Sequence, residues 1–182
     1  MKYVAFLRAV NVGGANIMPM AALKRCLEQI GLTHVKTVIQ SGNVIFESGE
    51  KRTATLTTRI ENAISRTLGI ESRIVLLTHP QLKSVVAEAP PAWTRGADLR
   101  RNIAFLRPPV TASQVMNAVE AKPGIDSVKA GKGVVYMATA LSGLQKSGLR
   151  KLIGTPVYRE MTIRAYGTCQ RILRLMEGDE RG

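Results

Sequence analysis

The sequence is poor in the groups that metal binding and acid–base catalysis draw on. Its 182 residues include two cysteines and two histidines. Cys26 and Cys169 form no C-x-x-C pair, and His34 and His79 are isolated, so no metal ligand set can be drawn. Each cysteine sits among aliphatic neighbours in a predicted helix and reads as a reduced, packed side chain. Nothing in the sequence calls for a cofactor. Aromatic residues make up only 4%, which leaves little material for a stacking surface. No apolar run approaches the roughly 20 residues that cross a bilayer, so no membrane role is expected. The apolar run that opens the chain is short and reaches Arg8, which does not suit a signal peptide, and a cytoplasmic address is expected. Carboxylates are scarce as well, 13 Asp+Glu against 26 Lys+Arg.

The resulting net charge of +13 suits an acidic partner, either an anionic small molecule or nucleic acid, although a solvated basic surface explains it equally. The charge is not confined to one block: residues 1–91 carry a net +5 and the rest +8. Hydrophobic residues at 45% and charged residues at 21% are an ordinary globular mixture able to bury a core.

Along the chain, Tyr3-Val4-Ala5-Phe6-Leu7 reads as a buried strand. A loop containing Asn11, Gly13, Gly14 and Asn16 follows, and Pro19 suits the first turn of a helix, where its missing N–H is not needed. Leu23, Leu27 and Ile30 recur at helical spacing before Gly31. Residues 35–39 and 44–46 read as strands joined by the turn Ser41-Gly42-Asn43. Residues 54–68 read as a helix, 74–77 as a strand and 81–88 as a short helix. The order is βαββαβ followed by a helix.

Ala89-Pro90-Pro91-Ala92 then breaks the pattern, and the order begins again. Ile103-Ala104-Phe105-Leu106-Arg107 echoes Val4-Ala5-Phe6-Leu7-Arg8, and Val134-Val135-Tyr136 after Gly131-Lys132-Gly133 echoes Val44-Ile45-Phe46. Helices are predicted over 113–122, 144–153 and 168–176, with a strand over 160–164. The expected fold is α+β, a tandem duplication of ferredoxin-like βαββαβ units with mostly antiparallel sheets and helices on one face. The expected organisation is 1–90 as the first half, 91–101 as a linker and 102–182 as the second half. Trp93 in the linker reads as an anchor rather than a binding handle.

Right-handed crossovers make the first and second strands of such a unit parallel. The segments after Leu7 and after Ile39 therefore meet at one sheet edge. That edge collects Arg8, Asn11, Gly13, Gly14, Asn16, Gln40, Ser41, Gly42 and Asn43. The second half lacks the Asn-Val-Gly-Gly loop, and a feature kept in one copy is the candidate site.

The segments Leu7 to Gly14, Pro19 to Leu23 and Ile39 to Phe46 closely resemble the domain-of-unknown-function 1697 family of bacterial proteins. The stretch from Ser147-Gly148-Leu149 to Thr162-Ile163-Arg164-Ala165-Tyr166-Gly167-Thr168 is similar to that family's second signature. There asparagines usually flank the aromatic residue, and here Ala165 and Gly167 take their places. The resemblance implies the paired ferredoxin-like fold and no particular activity. It makes Arg164, Tyr166 and Thr168 the second-half candidates.

The first-half cluster is a set of neutral and positive donors, suited to an anion or a nucleobase edge. It lacks a local histidine, and its nearest carboxylate is Glu47, so it does not suit general acid–base work. Neither a P-loop nor G-x-G-x-x-G is present. The plainer reading is that the glycines make turns and Asn11 and Asn43 cap them. Three functional readings remain open. One is a module that binds an anionic ligand, either a phosphorylated metabolite or nucleic acid stacked on Phe6, Phe46, Phe105 and Tyr136. Those rings read better as core, and no RNP1 pattern is present. A second is a phosphate-cradling hydrolase of the acylphosphatase type, with Arg8 holding the anion and Asn43 orienting water, an analogy at the level of fold. The third is docking through the basic C-terminal residues, among them Lys146, Arg150, Lys151, Arg159, Arg171 and Arg174. The sequence names no reaction.

Overall fold

A computed structural model describes residues 1–8, 10–11, 17–94 and 98–179. By internal contacts the chain divides into two units, Met1–Leu82 with Ile172–Gly182, and Lys83–Arg171.

In the first unit, β1 (Lys2–Leu7), α1 (Met20–Gln29), β2 (Thr33–Val38), β3 (Asn43–Glu47), α2 (Thr53–Leu68), β4 (Ile74–Thr78) and the start of α3 (His79–Ala87) follow the expected order. The strands form one antiparallel sheet in the order β2-β3-β1-β4. The apolar positions spaced along α1 and α2 explain the core. Leu23, Cys26 and Leu27 from α1 and Leu56, Ile60 and Ile64 from α2 are buried with Tyr3, Ala5, Leu7, Val44 and Phe46 of the sheet. The Tyr3 and Phe46 rings are stacked, centroids 5.7 Å apart. Residues of opposite parity, Val4, Phe6 and Ile45, are buried as well, which accounts for the unbroken apolar run in β1. Helix α2 ends at Gly69, whose φ of 65° is left-handed and whose N–H reaches the Ser65 carbonyl at 3.0 Å.

The second unit contains β5 (Leu99–Leu106), α4 (Ala112–Ala118), β6 (Asp126–Gly131), β7 (Val134–Ala140), β8 (Met161–Ala165) and the start of α5 (Tyr166–Glu177). Its antiparallel sheet has the order β6-β7-β5-β8, matching the first sheet strand for strand. The turns match too. The Gly42 carbonyl accepts from Leu7 N at 2.8 Å, and the Gly133 carbonyl accepts from Leu106 N at 3.0 Å. Arg8 N reaches the Arg73 carbonyl and Arg107 N the Glu160 carbonyl, each at 2.8 Å. Two similar sheet units with the same hydrogen-bond signposts fit a duplication.

Two predicted helices differ. Helix α4, opened by a capping box between Thr111 and Gln114, stops at Ala118 rather than continuing to 122. Lys122 precedes Pro123, which disfavours helical backbone, and its N–H is drawn to Asp126 Oδ2 at 3.0 Å. The helix predicted over 144–153 is absent. Three 3₁₀ segments, Leu141–Lys146, Gly148–Gly154 and Pro156–Glu160, stand in its place. Gly148, midway along the predicted span, costs an α-helix about 1 kcal/mol. Gly148 also lies so close to the Glu120 carbonyl that a Cβ would sit 1.7 Å from its oxygen.

The register also corrects the echo between the two hairpins. Ala5 faces Val44 in the first sheet, and Ala104 faces Val135 in the second. Tyr136 therefore corresponds to Ile45, and Met137 to Phe46. A one-residue offset moves a strand side chain to the opposite face. Trp93, in a 3₁₀ turn over Pro91–Thr94, is 2% exposed and packs edge-on against Tyr136 and Tyr166, at 5.9 and 5.2 Å. Among the described residues, no helix is long and apolar enough to cross a membrane.

Candidate functional site

The segment after β1 returns against the turn between β2 and β3, so Arg8, Asn11, Gln40, Ser41, Gly42 and Asn43 share one edge of the first sheet, as topology predicts. Gly13, Gly14 and Asn16 lie outside the described residues. Asn11 adopts a φ of 55°, a left-handed conformation that asparagine tolerates better than most residues. Its side chain works as a latch. Nδ2 donates to the Gln40 carbonyl at 2.8 Å and the Met18 carbonyl at 3.0 Å, while Oδ1 accepts the Met18 N–H at 2.7 Å. The amide satisfies three backbone groups that no strand or helix ladder would pair.

Asn43 is fully buried and donates through Nδ2 to the Val38 carbonyl and to Ser41 Oγ, both at 3.0 Å. It locks the turn from inside. An amide committed in this way does not reach solvent to orient a water molecule, which leaves the acylphosphatase analogy without its second residue. Gly42 is fixed by two constraints, a φ of 72° and a Cβ direction that meets Leu7 Cβ at 2.9 Å. The Arg8 carbonyl accepts from Ser72 Oγ at 3.3 Å, and Arg8 N from the same segment bonds Arg73, so the Arg8 backbone is held on both sides.

What this edge leaves open is a recess of about 470 Å³ lined by Asn11, Ile17, Met18, Pro19, Met20 and Gln40. Gln40 is exposed, and no hydrogen bond uses its side-chain amide among the described residues. The N-terminus of α1 faces this recess through Pro19 and Met20. It has no side-chain cap and no acidic residue in its first turn. Ala22 N and Leu23 N donate to the Pro19 carbonyl at 3.0 and 3.1 Å, which leaves the Met20 and Ala21 amides and the partial positive charge of the helix start facing the recess.

The second-half candidates are packed rather than presented. Burial pushes the Arg164 guanidinium down to about 10, an effect partly offset by Cys169 beside it. Its Nη1 donates to Thr162 Oγ1 at 2.8 Å and the Ile163 carbonyl at 2.9 Å. Tyr166 is 7% exposed against Trp93, and Thr168 is half-buried in the first turn of α5. Burial pushes the Cys169 thiol up to about 12, so it is neither a thiolate nor a nucleophile at neutral pH. Phe6, Phe46, Phe105 and Tyr136 are all buried, which removes the surface that base stacking needs. Tyr136 donates its hydroxyl to the Val85 carbonyl at 2.8 Å, and burial lifts its phenol to about 12.

The sequence reading missed a second feature, a network on Asp126. Its Oδ1 accepts from Ser147 Oγ at 2.7 Å and Thr139 Oγ1 at 2.8 Å, and its Oδ2 from Gly148 N at 2.8 Å and Lys122 N at 3.0 Å. Burial alone would raise this carboxyl. The hydrogen bonds, that of Ser147 foremost, outweigh it and hold the group below the usual carboxylate range. Asp126 thereby staples the 3₁₀ segments to β6 and β7. In the sequence Asp126 lies between Lys122 and Lys129, and nothing local marks it as the acceptor of four hydrogen bonds.

Comparison with known proteins agrees with the fold. A family model described as "Protein of unknown function (DUF1697)" matches residues 1–136. Among solved structures, the conserved bacterial protein SP0830 from Streptococcus pneumoniae is 27% identical. The match covers 96% of this chain and 98% of that one, with a TM-score of 0.83. No curated protein matches the chain.

Proposed function

We propose that this chain, which belongs to the family of proteins of unknown function DUF1697, is a binding module for a small anionic ligand such as a phosphorylated metabolite. The ligand would sit at the edge formed by 8–16 and 40–43. The observation that carries the reading is the recess where the start of α1, without a side-chain cap, meets the Gln40 amide, which no hydrogen bond engages among the described residues. Helix N-termini and unpaired amides are sequence-independent anion donors, and the net charge of +13 raises the local anion concentration. Asn11 and Asn43 serve as the frame of the site, and Gln40, Arg8 and the α1 amides as its contacts. The same reading takes the two units as ferredoxin-like repeats, 1–90 and 102–182, only the first of which keeps the loop.

Burial of the four aromatic rings favours a small ligand over a stacked nucleic acid. Calorimetric titration with inorganic phosphate, with phenyl phosphate and with a single-stranded oligonucleotide, each across a salt series, tests this. The expected result is phosphate-ester binding that weakens severalfold in Gln40→Ala. Oligonucleotide binding that vanishes with salt and ignores Gln40 would be charge attraction alone. Binding of none of the three would end the reading.

A further inference from the structure

The two units differ most where the second has lost a helix. In the first unit α2 seals the sheet, and the stacked pair Tyr3 and Phe46 fills the space beneath. The register places Asn102 and Met137 at the equivalent positions, facing each other as Tyr3 faces Phe46. Two aromatic rings are thus replaced by an amide and a thioether, and a 16-residue helix by 3₁₀ turns. Both changes remove volume from the same place. The result is a cavity of about 480 Å³ between the sheet and the 3₁₀ segments, within the range of small-molecule sites.

The chemistry of the lining is divided. Met137, Leu149, Leu152 and Ile163 give it an apolar wall, and Arg100, Arg150 and Asn102 give it polar donors. Among the described residues, no carboxylate lines it. Asp126 lies behind Thr139 and Ser147, and four hydrogen bonds occupy its two oxygens. Arg150 makes only a long contact with Gln145, at 3.4 Å. Among the described residues no hydrogen bond or ion pair engages the side chains of Arg100 and Asn102. They lie two residues apart on β5, so they project on the same face of the sheet. A guanidinium and an amide without partners beside an apolar wall are the groups that hold a carboxylate or phosphate while its apolar body is buried.

We infer that the second unit carries its own ligand site, between β5, β7 and the 3₁₀ segments. It would take a small amphipathic anion, an aromatic or branched apolar body bearing one carboxylate or phosphate, with Arg100 and Asn102 holding the head group. The site is independent of the recess beside Gln40.

The test uses the full chain and 1-anilinonaphthalene-8-sulfonate as probe, an apolar body with one anionic group. Saturable one-to-one fluorescence enhancement is expected, unchanged in Gln40→Ala. Arg100→Gln, at an exposed position, is expected to weaken binding about tenfold, as loss of one charge-assisted hydrogen bond does. The double variant Asn102→Tyr with Met137→Phe rebuilds the first unit's ring pair. It is expected to abolish binding while circular dichroism keeps the native signal. The neutral analogue N-phenyl-1-naphthylamine is expected to bind more weakly than the sulfonate. Displacement by benzoate would identify a carboxylate head group and displacement by phenyl phosphate a phosphate. Displacement by neither, or probe binding indifferent to Arg100→Gln, overturns the proposal. Since Arg100→Gln touches no core contact, the test stands even if the double variant fails to fold.

Discussion

Gly148 donates its backbone N–H to Asp126 Oδ2 at 2.8 Å, and this contact fixes where the helix-less segment of the second unit lies. The same carboxylate holds Ser147, Thr139 and the Lys122 backbone, so a single side chain ties four points together.

Asp126→Asn keeps the shape but replaces one acceptor oxygen with a donor. At least two of the four bonds then meet an N–H instead of a lone pair. Loss of charge-assisted bonds predicts a destabilisation of about 2–3 kcal/mol, read as a lower urea midpoint at neutral pH. The stability gap also depends on pH. A carboxyl held below its ordinary value binds fewer protons folded than unfolded. Its contribution is complete above the unfolded-state value of 3.8 and is lost as pH falls through the lower folded value. The gap between wild type and variant should therefore shrink on acidification below about pH 4. A gap constant throughout that range would contradict the assignment.

Gly148→Ala is expected to be worse than its chemistry suggests. The added Cβ would sit 1.7 Å from the Glu120 carbonyl oxygen, and backbone cannot yield as a side-chain tip can. A loss of about 3 kcal/mol or more is expected. Gly154→Ala, where a Cβ meets nothing within 4 Å, serves as the control and should leave the thermal midpoint nearly unchanged.

At Asn11 two contributions can be separated. Asn11→Ala removes three hydrogen bonds and places a Cβ residue without a polar group at a φ of 55°. Asn11→Gly removes the bonds and keeps the backbone comfortable. Alanine should cost about 2–3 kcal/mol and glycine about 1 kcal/mol less than alanine. Equal losses in chemical denaturation would mean that the backbone conformation contributes nothing.

Cys26 and Cys169 are both buried, and the Cys169 thiol is pushed up to about 12 by burial. An aromatic disulfide reagent should leave both thiols unmodified in the native protein over minutes at neutral pH. Both should react promptly in denaturant, since reactivity follows exposure and thiolate fraction. Rapid native-state labelling of Cys169 would show that α5 opens far more readily than its packing implies.

Much of this architecture is legible along the chain. The pentads ending in Leu7-Arg8 and Leu106-Arg107 mark the first strand of each unit, and Gly42 and Gly133 mark the turns that dock beneath them. Local signals suffice there because strand periodicity and left-handed turn glycines depend on neighbours within a few residues. At 144–153 the one local mark against a helix is Gly148, and its close approach to the Glu120 carbonyl is a tertiary contact that no local pattern carries. Topology brings the segments after β1 and β2 together at one edge, and there Asn11 and Asn43 hold the turns, the plainer of the two roles legible in the sequence. The sequence left capping and ligand donation both open for these amides, and the tertiary contacts supply the partners, Met18 and Gln40 for Asn11 and Val38 and Ser41 for Asn43.

The sequence alone determined the order of the strands, the repeated pentads, the turn positions and the excess of positive charge, because each follows from local spacing or from counting. Register and the second unit's cavity were decided by tertiary structure. Tyr136 and Met137 are adjacent in sequence, and only pairing with β5 tells which shares a face with Asn102. Whether that face is filled, as under α2, or left open, as under the 3₁₀ turns, depends on volumes contributed by segments about 40 residues apart, and no local pattern records such a sum.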